Sequence, residues 1–358
     1  MTLTEQRPAP IGHASSITAN RLTRIQLGAV GVVAVAVGAL SWLSSGSPNW
    51  ARWIVVTLVT YCVGIYVVSR IVEGHRQAVD RLMSALVTSA FALVAMPLVS
   101  LVWTVIERGT NRFDTEFFTE TMRGVTGEGG GIYHAIIGTI IVTGLATLMS
   151  VPFGLFTAIY LAEYGHGTKL AKAIQSMVDV MTGIPSIVAG LFAYAMFELI
   201  FGPGTRSGIA GAVALTVLMT PVVVRSSEEM LRLVPNELRE ASYALGVPKW
   251  KTIVKVVLPT AIAGIITGVV LAIARVIGET APLLVTAGLA QGVNWNPLDG
   301  RMTTLPVFTY YQYVQPGVPP SNGQDRAWAA ALVLIIMVMV LFSVARILSH
   351  VLKPKGLR

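Results

Sequence analysis

Apolar residues in this chain come in long unbroken runs, not in alternating or short amphipathic stripes. Roughly eight such runs stand out, at 27–44, 53–72, 82–106, 135–161, 184–201, 208–225, 260–280 and 327–350. A helix of about 20 apolar residues crosses a hydrocarbon core of about 30 Å, and a spanning helix satisfies its own peptide groups internally. Segments of about ten alternating residues, the mark of an outer-membrane barrel, are not the pattern here. The expected fold is therefore all-α and polytopic, with about eight transmembrane helices.

One polar insert between the sixth and seventh runs breaks this pattern. Residues 237–245 are mostly helix-compatible, Gly246 suits the left-handed conformation that stops a helix, and Pro248 suits the first turn of another. Trp250, Ile253, Val254, Val257 and Leu258 then follow the spacing of one apolar helix face. The pattern predicts two short helices with a turn between them. On residues alone these are either an amphipathic pair lying on the membrane surface or a docking element for a partner.

Composition agrees with the membrane reading. With 54% hydrophobic and 12% charged residues, and a mean hydropathy of +0.68, the chain is no ordinary soluble domain. Its net charge of +8 would suggest nucleic acid in a soluble protein, but the distribution of the charge argues for lipid and against nucleic acid. Basic residues gather in the N-terminal tail (Arg7, Arg21, Arg24), after the second run (Arg70, Arg76, Arg81) and after the fourth (Lys169, Lys172). They recur in the polar insert (Arg225, Arg232, Arg239, Lys249, Lys251, Lys255) and in the C-terminal tail (Arg346, Lys353, Lys355, Arg358). The intervening loops are poorer in Lys and Arg, and 107–133 is acidic. By the positive-inside rule both termini and the insert are cytoplasmic, while 107–133 and 281–326 face outward. The first run outlasts a usual signal-peptide core and is kept as a span. Cys62 is the single cysteine, which excludes an internal disulfide or a cysteine-based metal site.

The organisation that follows is a disordered cytoplasmic tail over 1–25 and an accessory hairpin over 26–80, turning at Ser44-Ser45-Gly46-Ser47-Pro48. A six-span core occupies 81–350, carrying a cytoplasmic loop at 226–259, and 351–358 is a second cytoplasmic tail. The fourth run carries small residues at Ala135, Thr139, Thr143 and Thr147, with Gly138, Gly144 and Gly154 beside them, a pattern that favours close helix packing in lipid. Prolines at 97, 152, 185, 221 and 282 supply kinks, and Pro185 opens the fifth span.

Few residues offer chemistry. Arg275 and Glu279 are four apart in the seventh run, hence on one helix face. Either they lock helix packing as a salt bridge, or Arg275 is a cationic element of an anion pathway with Glu279 holding it; a guanidinium fork matches an oxyanion. Arg225, at the end of the sixth run, is a headgroup anchor or an exit-side contact. Ser226 and Glu229 have the spacing of a cap for a helix starting near Glu228. The 281–326 stretch reads as a loop whose Phe308, Tyr310, Tyr311 and Tyr313 sit at the interface or meet a partner. No phosphate-loop motif occurs, so ATP hydrolysis would reside in a partner; His13, His75, His134, His166 and His350 are scattered, and no metal or catalytic constellation emerges.

The insert resembles the cytoplasmic loop of ABC importer permeases. Glu240-Ala241-Ser242, then Gly246, then Val256-Val257-Leu258-Pro259 match that family's pattern, with Ser242 and Val256 as departures. The likeness sharpens over Arg275-Val276-Ile277-Gly278-Glu279-Thr280-Ala281-Pro282. Gly129-Gly130-Gly131-Ile132-Tyr133, Leu161-Ala162-Glu163-Tyr164-Gly165, Gly183-Ile184-Pro185-Ser186 and Pro221-Val222-Val223-Val224-Arg225 agree as well. Together they resemble phosphate-importer permeases of the PstA type over about residues 85–350. The resemblance implies an inner-membrane, non-enzymatic subunit of a phosphate importer, coupled to its ATPase through Glu240, Ala241, Ser242, Gly246, Leu258 and Pro259, with Arg275, Glu279 and Arg225 on the pathway. It implies as partners a PstC-like permease, an ATPase dimer holding ATP and Mg, and an extracytoplasmic phosphate-binding protein, with no cofactor on this chain. The rivals are a permease for molybdate or sulfate, a gradient-driven carrier, and a membrane enzyme.

Overall fold

The computed structural model describes residues 22–44 and 50–351. Arg7, His13, Arg21, Lys353, Lys355, Arg358, the side chain of Arg24 and residues 45–48 of the expected first turn lie outside the described residues. The described residues form helices and connections with no strand. Seven helices are long and apolar enough to cross a membrane, or eight if one sharply bent pair counts as a single span. The chain divides into two compact units, one ending at Val102 and the other beginning at Trp103.

The first unit holds α1 (Arg24–Leu43), α2 (Trp50–Val72) and most of α3 (His75–Gly109). Thr23 caps α1 in a capping box with Gln26. Cys62, Ile65 and Ala85 are buried together with Leu27, Val30, Tyr61 and Leu82 packed around them. The tight corner between α2 and α3 turns on Gly74, which has φ +95°. Beside it, Glu73 is the polar centre of the unit. Its carboxylate accepts from the Leu22 amide (2.7 Å), Ser69 Oγ (2.7 Å), Arg81 Nε (2.6 Å) and Arg81 Nη2 (2.8 Å), tying the start of α1 and the end of α2 to α3.

The second unit is built on α5 (Tyr133–Ile159) and α8 (Gly208–Arg232), which lie side by side through residues such as Val142, Ala146, Leu215, Met219 and Val223. α4 (Thr115–Thr119), capped by Asp114, leads into α5 and buries Phe117. The small-residue stripe of α5 packs as expected: Ala135, Gly138, Thr139, Thr143 and Gly154 are buried. A Cβ on Gly154 would come within 2.7 Å of Val223, and Thr139 Oγ1 accepts from the Leu305 amide at 2.8 Å. Gly144, by contrast, is exposed. After α5 a π turn (Tyr160–Tyr164) closes the helix, and α6 (Lys169–Thr182) follows.

α7 (Ser186–Phe201) departs from the expected independent fifth span. Its 16 residues reach about 24 Å at 1.5 Å per residue, short of a hydrocarbon core of about 30 Å. It forms a bent pair with α6, broken by 105° at Gly183-Ile184-Pro185. The sixth run does not end at Arg225 either. α8 continues to Arg232, so Ser226 caps nothing; its hydroxyl donates to the Val222 carbonyl four residues back at 2.8 Å. Hydropathy drops at Arg225, but helix propensity does not.

α9 (Asn236–Ala244) is the first of the two short helices expected in the insert. The second is not separate: α10 (Lys249–Thr252) runs through a π turn (Ile253–Val257) into α11 (Leu258–Ile277), a 29-residue span in all. Pro259 has no N–H to donate to Lys255, and the ladder widens just before it, which accommodates the missing bond without a break. The 281–326 stretch is likewise more helical than a loop. α12 (Ala281–Thr286) and α13 (Leu305–Val314) each begin with a proline in the first turn, where the absent N–H costs nothing. Phe308 is core, edge-on to His134 at 5.6 Å, while Tyr310 and Tyr313 are exposed. α14 (Pro320–Val351) completes the unit.

Two expectations follow. The Arg81 guanidinium holds the Glu73 carboxyl at about 2, below its ordinary 4.5 and against the opposing effect of burial. A carboxylate with a lowered folded pKa contributes its full stability above the unfolded value and loses it as pH falls through the folded one. Glu73→Gln should therefore lower stability by about 2 kcal/mol at neutral pH. In thermal unfolding of the detergent-solubilised protein, the gap to wild type should hold above pH 4.5 and close as pH approaches 2. At Gly246, φ is +75° and a Cβ would meet no atom within 4 Å, so any penalty is conformational. Gly246→Ala should cost about 1–2 kcal/mol and Gly246→Asn less, because Asn visits the left-handed region more readily; equal losses in the same assay would contradict this.

Candidate functional site

The α9 corner is assembled from helix ends. Pro235 precedes α9, Gly246 turns the chain, and Pro248 starts α10. The corner closes with the Val247 amide donating to the Ser242 carbonyl at 3.2 Å and the Gly246 amide to Tyr243 at 2.9 Å. Ser242, the departure from Ala in the motif, is the one buried residue of α9, and its hydroxyl lies 2.8 Å from that of Thr252. The hydroxyl pair fastens α9 to α10 where two methyl groups would only touch. Glu240, Ala241, Leu238, Tyr243 and Leu245 remain exposed, with Trp250 and Val254 exposed on the next helix. This is an exposed surface of mixed apolar and acidic character. Leu258 sits half-buried against the cluster of Ala158, Ala162, Leu231 and Val257, and Pro259 is exposed.

Underneath, Arg239 points the other way. Its Nη2 and Nε donate to Glu163 Oε1 at 2.7 and 3.1 Å, Nη2 to the Leu231 carbonyl at 2.9 Å, and Nη1 to the Val234 carbonyl at 2.5 Å. Lys249 Nζ donates to the Glu163 carbonyl at 2.5 Å and lies 4.7 Å over the Tyr164 ring. The Glu163–Arg239 pair is separated by 76 positions in the chain. No sequence spacing announces it, although Glu163 falls inside one of the motifs quoted above.

Arg225 belongs to a second polar cluster. It pairs with Asp179 of α6 and lies 3.7 Å from Glu228, which is buried and also held by Arg232 at 2.5 Å and Gln175 at 3.2 Å. The sequence read Glu228 as part of a helix start; the structure makes it the anchor between α6 and α8. Arg275 and Glu279 do not share a helix face. α11 ends at Ile277, with Gly278 at its C-terminus and Glu279 in the connection to α12, so no ion pair joins the two. Arg275 lies in the last turn of α11, not at mid-span, where it faces the negative end of the helix dipole. It is exposed and has no hydrogen-bond or ion-pair partner among the described residues. Among the described residues no cluster of acidic, His or Cys side chains could hold a metal ion.

Comparison with known proteins fits this arrangement. The family of binding-protein-dependent transport system inner membrane components matches residues 150–356. The phosphate transport system permease protein PstA 1 of Mycobacterium tuberculosis (strain CDC 1551 / Oshkosh) is 47% identical over 74% of this chain and 86% of its own length. The PstA permease of Mycobacterium leprae is 46% identical over 76% and 89%. That of Pasteurella multocida is 40% identical over 73% and 92%. Among solved structures, an inward-facing form of the MetNI methionine ABC transporter is similar at 20% identity and a TM-score of 0.49, covering 63% of this chain and 95% of that chain. The family match runs from the last part of α5 through α14 and includes the α9 corner; with seven or eight membrane helices the chain belongs to the binding-protein-dependent transport system inner membrane components, among the PstA-type permeases, as a multi-pass inner-membrane transport subunit.

Proposed function

We propose that this chain is the permease subunit of an ATP-driven phosphate importer, forming half of the translocation pathway. The observation that carries the reading is the 47% identity to a phosphate transport permease over 74% of the chain, joined to an exposed α9 of the kind an ATPase would grip. In this reading both termini and α9 are cytoplasmic, as the basic residues around α9 and α6 favour. Residues 26–80 are an accessory hairpin to the core at 81–350. The other half of the pathway is a PstC-like permease. ATP and Mg are held by an ATPase dimer that docks on Glu240, Ala241 and the other exposed residues of α9, and an extracytoplasmic binding protein delivers phosphate.

Arg275 and Arg225 have different roles in that pathway. Arg225 is neutralised by Asp179 and Glu228, so an anion must compete with carboxylates to reach it. Arg275 has no such competitor, so its guanidinium is open to a passing oxyanion or to the second permease. Glu279, in the adjoining connection, moderates the local field.

Purification from native membranes should bring down an ATPase, a second permease and a phosphate-binding protein. A molybdate- or sulfate-binding protein in its place would change the substrate, and phosphate transport by the purified chain without an ATPase would overturn the reading. In the assembled importer, Arg275→Gln should cut phosphate uptake about 10- to 100-fold, the loss of a charge-assisted hydrogen bond, with the complex intact. Normal uptake would remove Arg275 from the pathway.

A further inference from the structure

α9 is nine residues long and nearly all of its surface faces away from the unit, with Ser242 its single buried residue. A helix so exposed has little apolar burial to fix its position. Besides the Ser242–Thr252 hydroxyl pair, what fixes it is Arg239, whose side chain is 13% exposed and whose partner Glu163 is 4% exposed. The guanidinium reaches Glu163, in the π turn that follows α5, the Leu231 carbonyl in the last turn of α8, and the Val234 carbonyl two residues past its end. The last carbonyls of a helix have no partner within it, so Arg239 serves as a cap for α8 and an ionic tie to α5 at once. Lys249 extends the tie, since its Nζ binds the carbonyl of the same Glu163 and it opens the helix that becomes α11.

Two π turns flank this hub, Tyr160–Tyr164 on the α5 side and Ile253–Val257 on the α11 side. Glu163 lies within the first. π turns are rare and are frequent at functional positions. The Arg239–Glu163 pair is charge-assisted and largely buried, and it gives α9 a direct link to the ends of α5 and α8.

We propose that Arg239 is the positioning residue through which displacement of α9 reaches the spans, acting through Glu163 and the Leu231 and Val234 carbonyls at and just past the end of α8. The proposal rests on reading α9 as the ATPase docking helix. Its signature is a separation of ATP hydrolysis from transport, which a residue needed only for folding or for docking would not produce.

The test uses the complete importer in liposomes, comparing wild type with Arg239→Gln, Glu163→Gln and Arg239→Lys, and reads phosphate moved per ATP hydrolysed alongside ATPase retained in the complex. Arg239→Gln and Glu163→Gln are expected to keep the ATPase and its hydrolysis while the ratio drops about tenfold, the effect of losing about one charge-assisted contact. Arg239→Lys, which keeps the charge but not the fork, is expected to fall between. An unchanged ratio in Arg239→Gln overturns the proposal. So does loss of the ATPase from both Arg239→Gln and Arg239→Lys, since Arg239 would then build the docking surface and transmit nothing. A wild-type complex that moves no phosphate sinks the underlying function reading instead, and the two failures are told apart by that control.

Discussion

In hydrocarbon a peptide group finds its partner within the protein or not at all, and most features of the second unit follow from that. Regular spans satisfy themselves. Where the chain leaves the helix, protein must close around it. The chain after α11 re-enters a short helix, α12, and α7 packs against its first turn so tightly that a Cβ on Gly190 would stand 2.6 Å from the Cα of Pro282. Many hydroxyls follow the same rule: Thr147, Thr216, Thr220 and Thr260 each donate to the carbonyl four residues earlier, at 2.7–2.8 Å. Ser150 of α5 and Ser227 of α8 are exceptions, buried with no hydrogen-bond partner.

The same constraint drives charge to helix ends, where carbonyls and carboxylates are within reach. Glu73 gathers the ends of three helices in the first unit. Glu163 and Glu228 each bind ends or neighbouring helices in the second. In each case a nearly buried carboxylate is matched by arginine, the geometry in which removing one partner is far more costly than the pair itself is stabilising. These pairs specify how elements meet more than they add net stability.

How much of this was legible in the sequence depended on whether the signal was local. Spans were, because uninterrupted length is all a lipid-crossing helix needs. The α9–Gly246–Pro248 corner was as well, since a left-handed glycine and a helix-starting proline act on their own neighbours. The end of α11 was open to reading too. Gly278 followed by Pro282 is a stop and a start, yet apolar residues on both sides carried the expected span on to 280 and put Arg275 and Glu279 on a face they do not share. What could not be read was of another kind. The 105° break between α6 and α7 leaves hydropathy unaltered, and the π turn before Pro259 hides a continuous helix where two were expected. The Arg239–Glu163 pair is a tertiary fact, created only when the ends of α5, α8 and α9 come together.

Arg275 and Arg225 bring these threads together. Both were singled out by type, a guanidinium in an apolar run, and type alone could not tell them apart. Their surroundings do. Arg225 has two carboxylates beside it, so the fold of this chain already neutralises it. Arg275 is exposed in the last turn of α11 with no partner among the described residues, and only the negative end of the helix dipole meets its charge. On the proposed reading, the openness that suits Arg275 to an oxyanion also leaves it free to meet the second permease.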